Sequence, residues 1–129
     1  MRKSLGVIVL VLSMFFAAVV NGAGNPLPQQ VGIVGENAEN VIDLFMKKDW
    51  KGAQALVDTI GQNGSTIDHE VQGGNLPPSM AYEFDYLLFR LQELSHEKKQ
   101  PIEAALVANQ ITALTNDMQT RPSTGSSIA

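Results

Sequence analysis

Apolar residues recur along this chain in four blocks, each stepping by three and four positions, the spacing that lines one face of an α-helix. The first block holds Val31, Val34, Ala38, Val41 and Phe45, widened by Ile42, and predicts a helix from about residue 29 to 48. Gly32 and Gly35 weaken its opening turns, so a stable start is expected nearer Glu36. The second block runs Trp50, Ala53, Val57, Ile60, Gly64, Ile67 and Val71, a continuous seam for neighbouring helices. Gly61, Asn63, Gly64, Ser65 and Thr66 are poor helix formers in its middle and predict a kink or frayed turn there. The third carries Met80, Phe84, Leu87, Leu91 and Leu94 with Leu88 beside them, and the fourth Ala104, Val107, Ile111, Leu114 and Met118.

The punctuation agrees with the periodicity. Lys47 and Lys48 sit where a helix dipole is negative, and Asp49 is placed to cap the second helix. Gly73, Gly74 and Asn75 make a stop and turn, after which Pro77 and Pro78 suit the first turn of the third helix, and Pro101 opens the fourth after a polar link from His96 to Gln100. Four segments of about 20 residues, each about 30 Å long and joined by short links, favour antiparallel neighbours. The expected fold is all-α, an antiparallel up-down-up-down four-helix bundle over residues 29–120. Three packed helices with a loose first segment is the alternative that Gly32 and Gly35 leave open.

The start of the chain follows another pattern. Arg2 and Lys3 precede an apolar run from Leu5 to Val20, which ends on Asn21, Gly22, Ala23 and Gly24. A basic start, an apolar centre and small residues at the end are the order of a secretory signal peptide. The run is shorter than the roughly 20 residues of a spanning helix. Residues 1–22 are therefore expected to be a cleaved signal peptide, cut after Gly22 or Gly24, and the product to be periplasmic or secreted. Residues 23–28, with Pro26 and Pro28, read as an extended leader, and residues 121–129, rich in Ser, Thr, Gly and Pro, as a disordered tail.

Charge and cysteine count narrow the partners. Without Arg2 and Lys3, seven basic residues face thirteen acidic ones, a net charge of −6. That balance argues against nucleic acid and anionic membrane surfaces as partners. With no cysteine there is no disulfide, thiol nucleophile or thiolate ligand, and stability rests on packing. No phosphate loop, HExxH pair, nucleophile elbow, EF-hand or haem-attachment motif occurs, and Gly32-Ile33-Val34-Gly35 lacks the Lys and Ser or Thr of a phosphate loop. No cofactor and no enzymatic activity are expected. Asn63-Gly64-Ser65 matches a glycosylation acceptor, a chance match in a chain whose leader reads as bacterial.

His69 and His96 are the imidazoles, and pairing the second and third helices about residue 75 separates them by about 22 Å along the bundle. The same pairing brings Met80 and Met118 near the level of His69, a set of the kind that holds copper or haem iron. In size, export and helix order the chain resembles the haem-binding four-helix periplasmic cytochromes, as architecture only. Their attachment motif and terminal histidine have no counterpart where Asn116, Asp117 and Met118 stand, so the resemblance supplies no ligand. Phase also divides the set, His69 outward and the methionines inward. Glu36, Glu39 and Asp43, spaced along one helix face, read as a solvated surface rather than a catalytic pair.

The third helix departs from a simple amphipathic pattern. Tyr82, Tyr86 and Phe89 lie about 130° to 190° from its core stripe, a second apolar stripe on the outward side, with Arg90 and Glu93 as its polar border. The leader or tail could cover it, or a partner or second copy could. The leading functional expectation is an exported, non-enzymatic bundle that binds a protein partner or itself there, with no membrane attachment after cleavage. A periplasmic carrier of copper or haem held between helices is the alternative.

Overall fold

The computed structural model describes residues 29–121. They form four helices packed against one another: α1 (Gln29–Met46), α2 (Trp50–Gln72), α3 (Pro78–Glu97) and α4 (Pro101–Thr120), with no strand among the described residues. The signal peptide at 1–22, the leader at 23–28 and the tail beyond Arg121 lie outside the described residues. No described helix is long and apolar enough to cross a membrane.

Each helix packs on its neighbour in sequence, and α1 packs on α4, which closes the set around one core. Most of the buried residues are ones the periodicity selects. Val31, Val34, Ala38, Val41 and Phe45 from α1 meet Ala53, Val57, Ile60 and Ile67 from α2. Phe84, Leu87, Leu91 and Leu94 from α3 join Ala104, Val107, Ile111, Leu114 and Met118 from α4. Trp50 and Val71, at the two ends of the α2 seam, are only partly buried, and the Trp50 ring lies against Phe45 with centroids 5.9 Å apart.

The helix ends follow from capping chemistry. Asp49 accepts a hydrogen bond from the Gly52 backbone N–H at 3.0 Å, which satisfies one of the unpaired donors at the start of α2. Pro78 and Pro101 stand in the first turns of α3 and α4, where a missing N–H costs nothing. The C-terminal ends of α1 and α3 turn through Lys48 and Lys98, both left-handed at φ 62° and 59°, positions that glycine usually fills. At Lys98 the backbone N–H still bonds the Leu94 carbonyl at 3.2 Å.

Three sequence expectations are corrected by how the helices approach each other. α1 is already helical at Gln29, the first described residue, rather than from near Glu36, and it runs through Gly32 and Gly35. Both glycines face α4, where a side chain at Gly35 would overlap the Thr115 hydroxyl and one at Gly32 would meet the Gln119 amide at 2.8 Å. α2 stays helical through residues 61–66, so the frayed turn that the sequence allows there does not form. Gly64 is buried there, and a Cβ on it would stand 2.5 Å from the Phe84 ring. These glycines mark close approach rather than weakness. On α3 the buried stripe opens with Ala81, while Met80 is only half-buried.

Among the described residues two polar side chains lie within the core, and both are satisfied locally. The Ser95 hydroxyl donates to the Gln92 carbonyl at 2.9 Å, and the Ser95 carbonyl accepts from the Gln54 side-chain amide of α2 at 2.8 Å. Thr115 donates back to Ile111 and Thr112 of its own helix at 3.1 and 3.0 Å. A hydroxyl bonded to its own preceding turn carries little desolvation cost, so it can occupy an interior position.

Candidate functional site

α3 carries the feature that sets this molecule apart from a plain solvated bundle. Phe84, Leu87, Leu91 and Leu94 anchor one side of the helix in the core, which fixes the direction of the opposite side. There Tyr82, Tyr86 and Phe89 are 73%, 67% and 60% exposed. Their spacing of four and three residues places them along one stripe of about 10 Å. Exposed single apolar residues are common, but three aromatics in one line are not.

Arg90 borders the stripe, and its guanidinium is engaged on both sides. It donates to Glu103 of α4 at 3.1 Å and to Glu93 of its own helix at 3.3 Å. These hydrogen bonds, Glu103 first and Glu93 second, hold the guanidinium above its usual range, so its charge is fixed. Arg90 and Glu93 are the border residues expected from sequence. Glu103 was not, because a bond between helices depends on how α4 is aligned beside α3.

α4, which packs beside α3, also carries exposed apolar residues. Ile102 and Leu106, four residues apart, are 64% and 60% exposed and flank Glu103. Their signal is in the sequence: both fall off the stripe of Ala104, Val107 and Ile111, and the angular argument applied to α3 would have found them. On the α2 side of the stripe the Asp85 carboxyl is held above its ordinary value, by partial burial first and by the like charge of Asp68 second.

The copper or haem set is not assembled as one environment. His69 is exposed and Met118 is 2% exposed in the core, as helical phase predicts, whereas Met80, expected inward, is only half-buried. His96 is exposed at the end of α3, its ring Nδ1 3.1 Å from the Gln92 carbonyl. Among the described residues no group of three or more histidine, aspartate or glutamate side chains converges as a metal site. A groove of about 470 Å³ between α1 and α4 is lined by Gly32, Glu36, Thr112, Asn116 and Gln119. It is open to solvent, unlike the enclosing pockets that bury most of a small ligand.

Compared with known proteins, the chain matches no family model, no curated protein and no solved structure.

Proposed function

We propose that this is an exported, non-enzymatic protein, periplasmic or secreted, whose mature part is an antiparallel up-down-up-down four-helix bundle. It binds a macromolecular partner or itself through the outward stripe of α3. The observation that carries the reading is the exposure of Tyr82, Tyr86 and Phe89, each at 60% or more, on a helix whose other face is buried. Interfaces are enriched in such aromatics because they remove a large apolar area from water at small entropic cost. The alternating helix direction is supported by contacts in which rising numbers on one helix meet falling numbers on the next. Gln54 meets Ser95 and Gly64 meets Phe84, while Gly32 meets Gln119 and Gly35 meets Thr115.

The test of binding is the triple change Tyr82→Ser, Tyr86→Ser and Phe89→Lys. It removes apolar area without touching buried residues, so circular dichroism should remain helical while self-association or partner capture is lost. A monomeric wild type that captures no partner, and whose melting temperature the triple change lowers, would assign the stripe to contacts within the chain instead.

Export rests on residues 1–22 and has its own measurement. N-terminal sequencing of the extracytoplasmic protein should begin at Ala23 or Asn25. Recovery of chains that still start at Met1 from the membrane fraction would show an uncleaved anchor.

A further inference from the structure

We infer that the occupant of the α3 stripe is a basic amphipathic helix on another protein, a step that rests on the stripe being a binding face.

The argument is one of charge placed around apolar area. Glu83 and Asp85 are exposed beside Tyr82 and Tyr86, and Glu93 is exposed one turn beyond Phe89. Glu103 closes the border from α4. Against these four carboxylates stands Arg90, already shared between two of them. The aromatic strip is therefore framed by an excess of negative charge, and all of it lies on helix rather than loop.

A second copy of the chain fits this frame badly. It would bring an identical acidic border against this one, within a mature chain of net charge −6, and like charges brought together across an interface oppose association. Anionic polymers and anionic lipid surfaces are repelled for the same reason. Lysine and arginine side chains are matched on both counts. Their aliphatic stems cover apolar surface, their cationic heads reach the carboxylates, and cations also sit favourably over Tyr and Phe rings.

Shape selects a helix as the carrier of those side chains. The stripe follows one helix, and α4 packs beside that helix with Ile102 and Leu106 exposed, so a partner lying along α3 has further apolar residues on the neighbouring helix. A partner helix presents matching contacts at i, i+3, i+4 and i+7, with basic residues at its edges. Over about 10 Å the aromatics meet roughly two turns of such a helix. The exposed Arg90 to Glu93 pair contributes little to the free bundle, so Glu93 is available to an incoming cation at small cost.

The probe is a fluorescein-labelled 18-residue peptide with leucine at i, i+3, i+4 and i+7 repeats and lysine elsewhere, titrated with the purified exported protein. An isomer with glutamate in place of every lysine is the control. The lysine peptide should bind at least about tenfold tighter than the glutamate peptide, and raising the salt should narrow that gap. Tyr82→Ser, Tyr86→Ser and Phe89→Ser together, which leave the net charge unchanged, should abolish binding with helicity intact. Glu83→Gln with Glu93→Gln should weaken the lysine peptide alone by about tenfold.

The outcomes separate the two readings. Equal binding of both peptides, lost in the triple-serine variant, keeps the stripe as a binding face and overturns the basic partner. A wild-type dimer that the triple-serine change dissociates overturns it in favour of a second copy. Lysine-peptide binding that survives the triple-serine change reports attraction to the acidic surface elsewhere and overturns both, as does the absence of any binding.

Discussion

Replacing Ile111 by alanine is expected to destabilise the protein by about 2–5 kcal/mol, a large share of the roughly 5–15 kcal/mol that holds a small domain folded. Ile111 is fully buried on α4, the helix that packs against both α1 and α3. Losing three carbons there removes transfer free energy and leaves a void that surrounding helices fill only in part. The matched control is Ile102→Ala on the same helix, where 64% of the residue already faces water. That change should stay within about 0.5 kcal/mol. Urea midpoints of the two variants give the comparison, and equal midpoints would mean that the assigned core face of α4 is wrong.

Gly64→Ala should destabilise by about 1–2 kcal/mol, whereas Gly61→Ala, one turn away on the same helix, should stabilise by about 0.5–1 kcal/mol. Both changes gain the same backbone preference for helix. They differ in what the new methyl meets. At Gly61 the nearest atoms are Leu88 Cδ2 at 3.7 Å and Gln92 Nε2 at 3.8 Å, ordinary contact distances. At Gly64 the methyl would lie 2.5 Å from Phe84 Cε2 and 2.6 Å from its Cζ, and that ring is itself only 2% exposed. The ring has to move within a packed core, and that cost exceeds the helical gain. Adding Phe84→Leu to Gly64→Ala should recover part of the loss. A stabilising Gly64→Ala would mean that α2 and α3 stand further apart than described.

Period and punctuation made the helices legible. The α2 seam from Ala53 to Ile67 and the α4 stripe from Ala104 to Met118 are buried as their spacing predicts. What escaped were features that depend on a neighbour. Gly32, Gly35 and Gly64 carry low helix propensity, and only the presence of Gln119, Thr115 and Phe84 opposite turns that into a means of close packing. Ser95 is fully buried despite its hydroxyl, because the bond back to Gln92 is invisible to a hydropathy pattern. Lys48 and Lys98 take left-handed turns that the sequence marks with neither glycine nor asparagine.

The outward stripe was legible for a related reason. Tyr82, Tyr86 and Phe89 conflict with the phase of their own helix, and conflict of that kind needs no neighbour to be noticed. The bond from its border residue Arg90 to Glu103 required the side-by-side placement of α3 and α4.

The bond from Gln54 to the Ser95 carbonyl has a consequence for uniqueness. A seam of apolar residues at steps of three and four nearly repeats itself each turn, so α3 could slide one turn along α2 and still set apolar against apolar. Such slippage would strip the Gln54 amide of its acceptor, a loss of about 1–3 kcal/mol if the amide were left buried. It would also carry the Phe84 ring off the notch at Gly64 toward Ile60 or Ile67, the neighbouring seam positions, which bear large side chains. One clasp and one notch thus select a single alignment from several that hydrophobicity alone would tolerate.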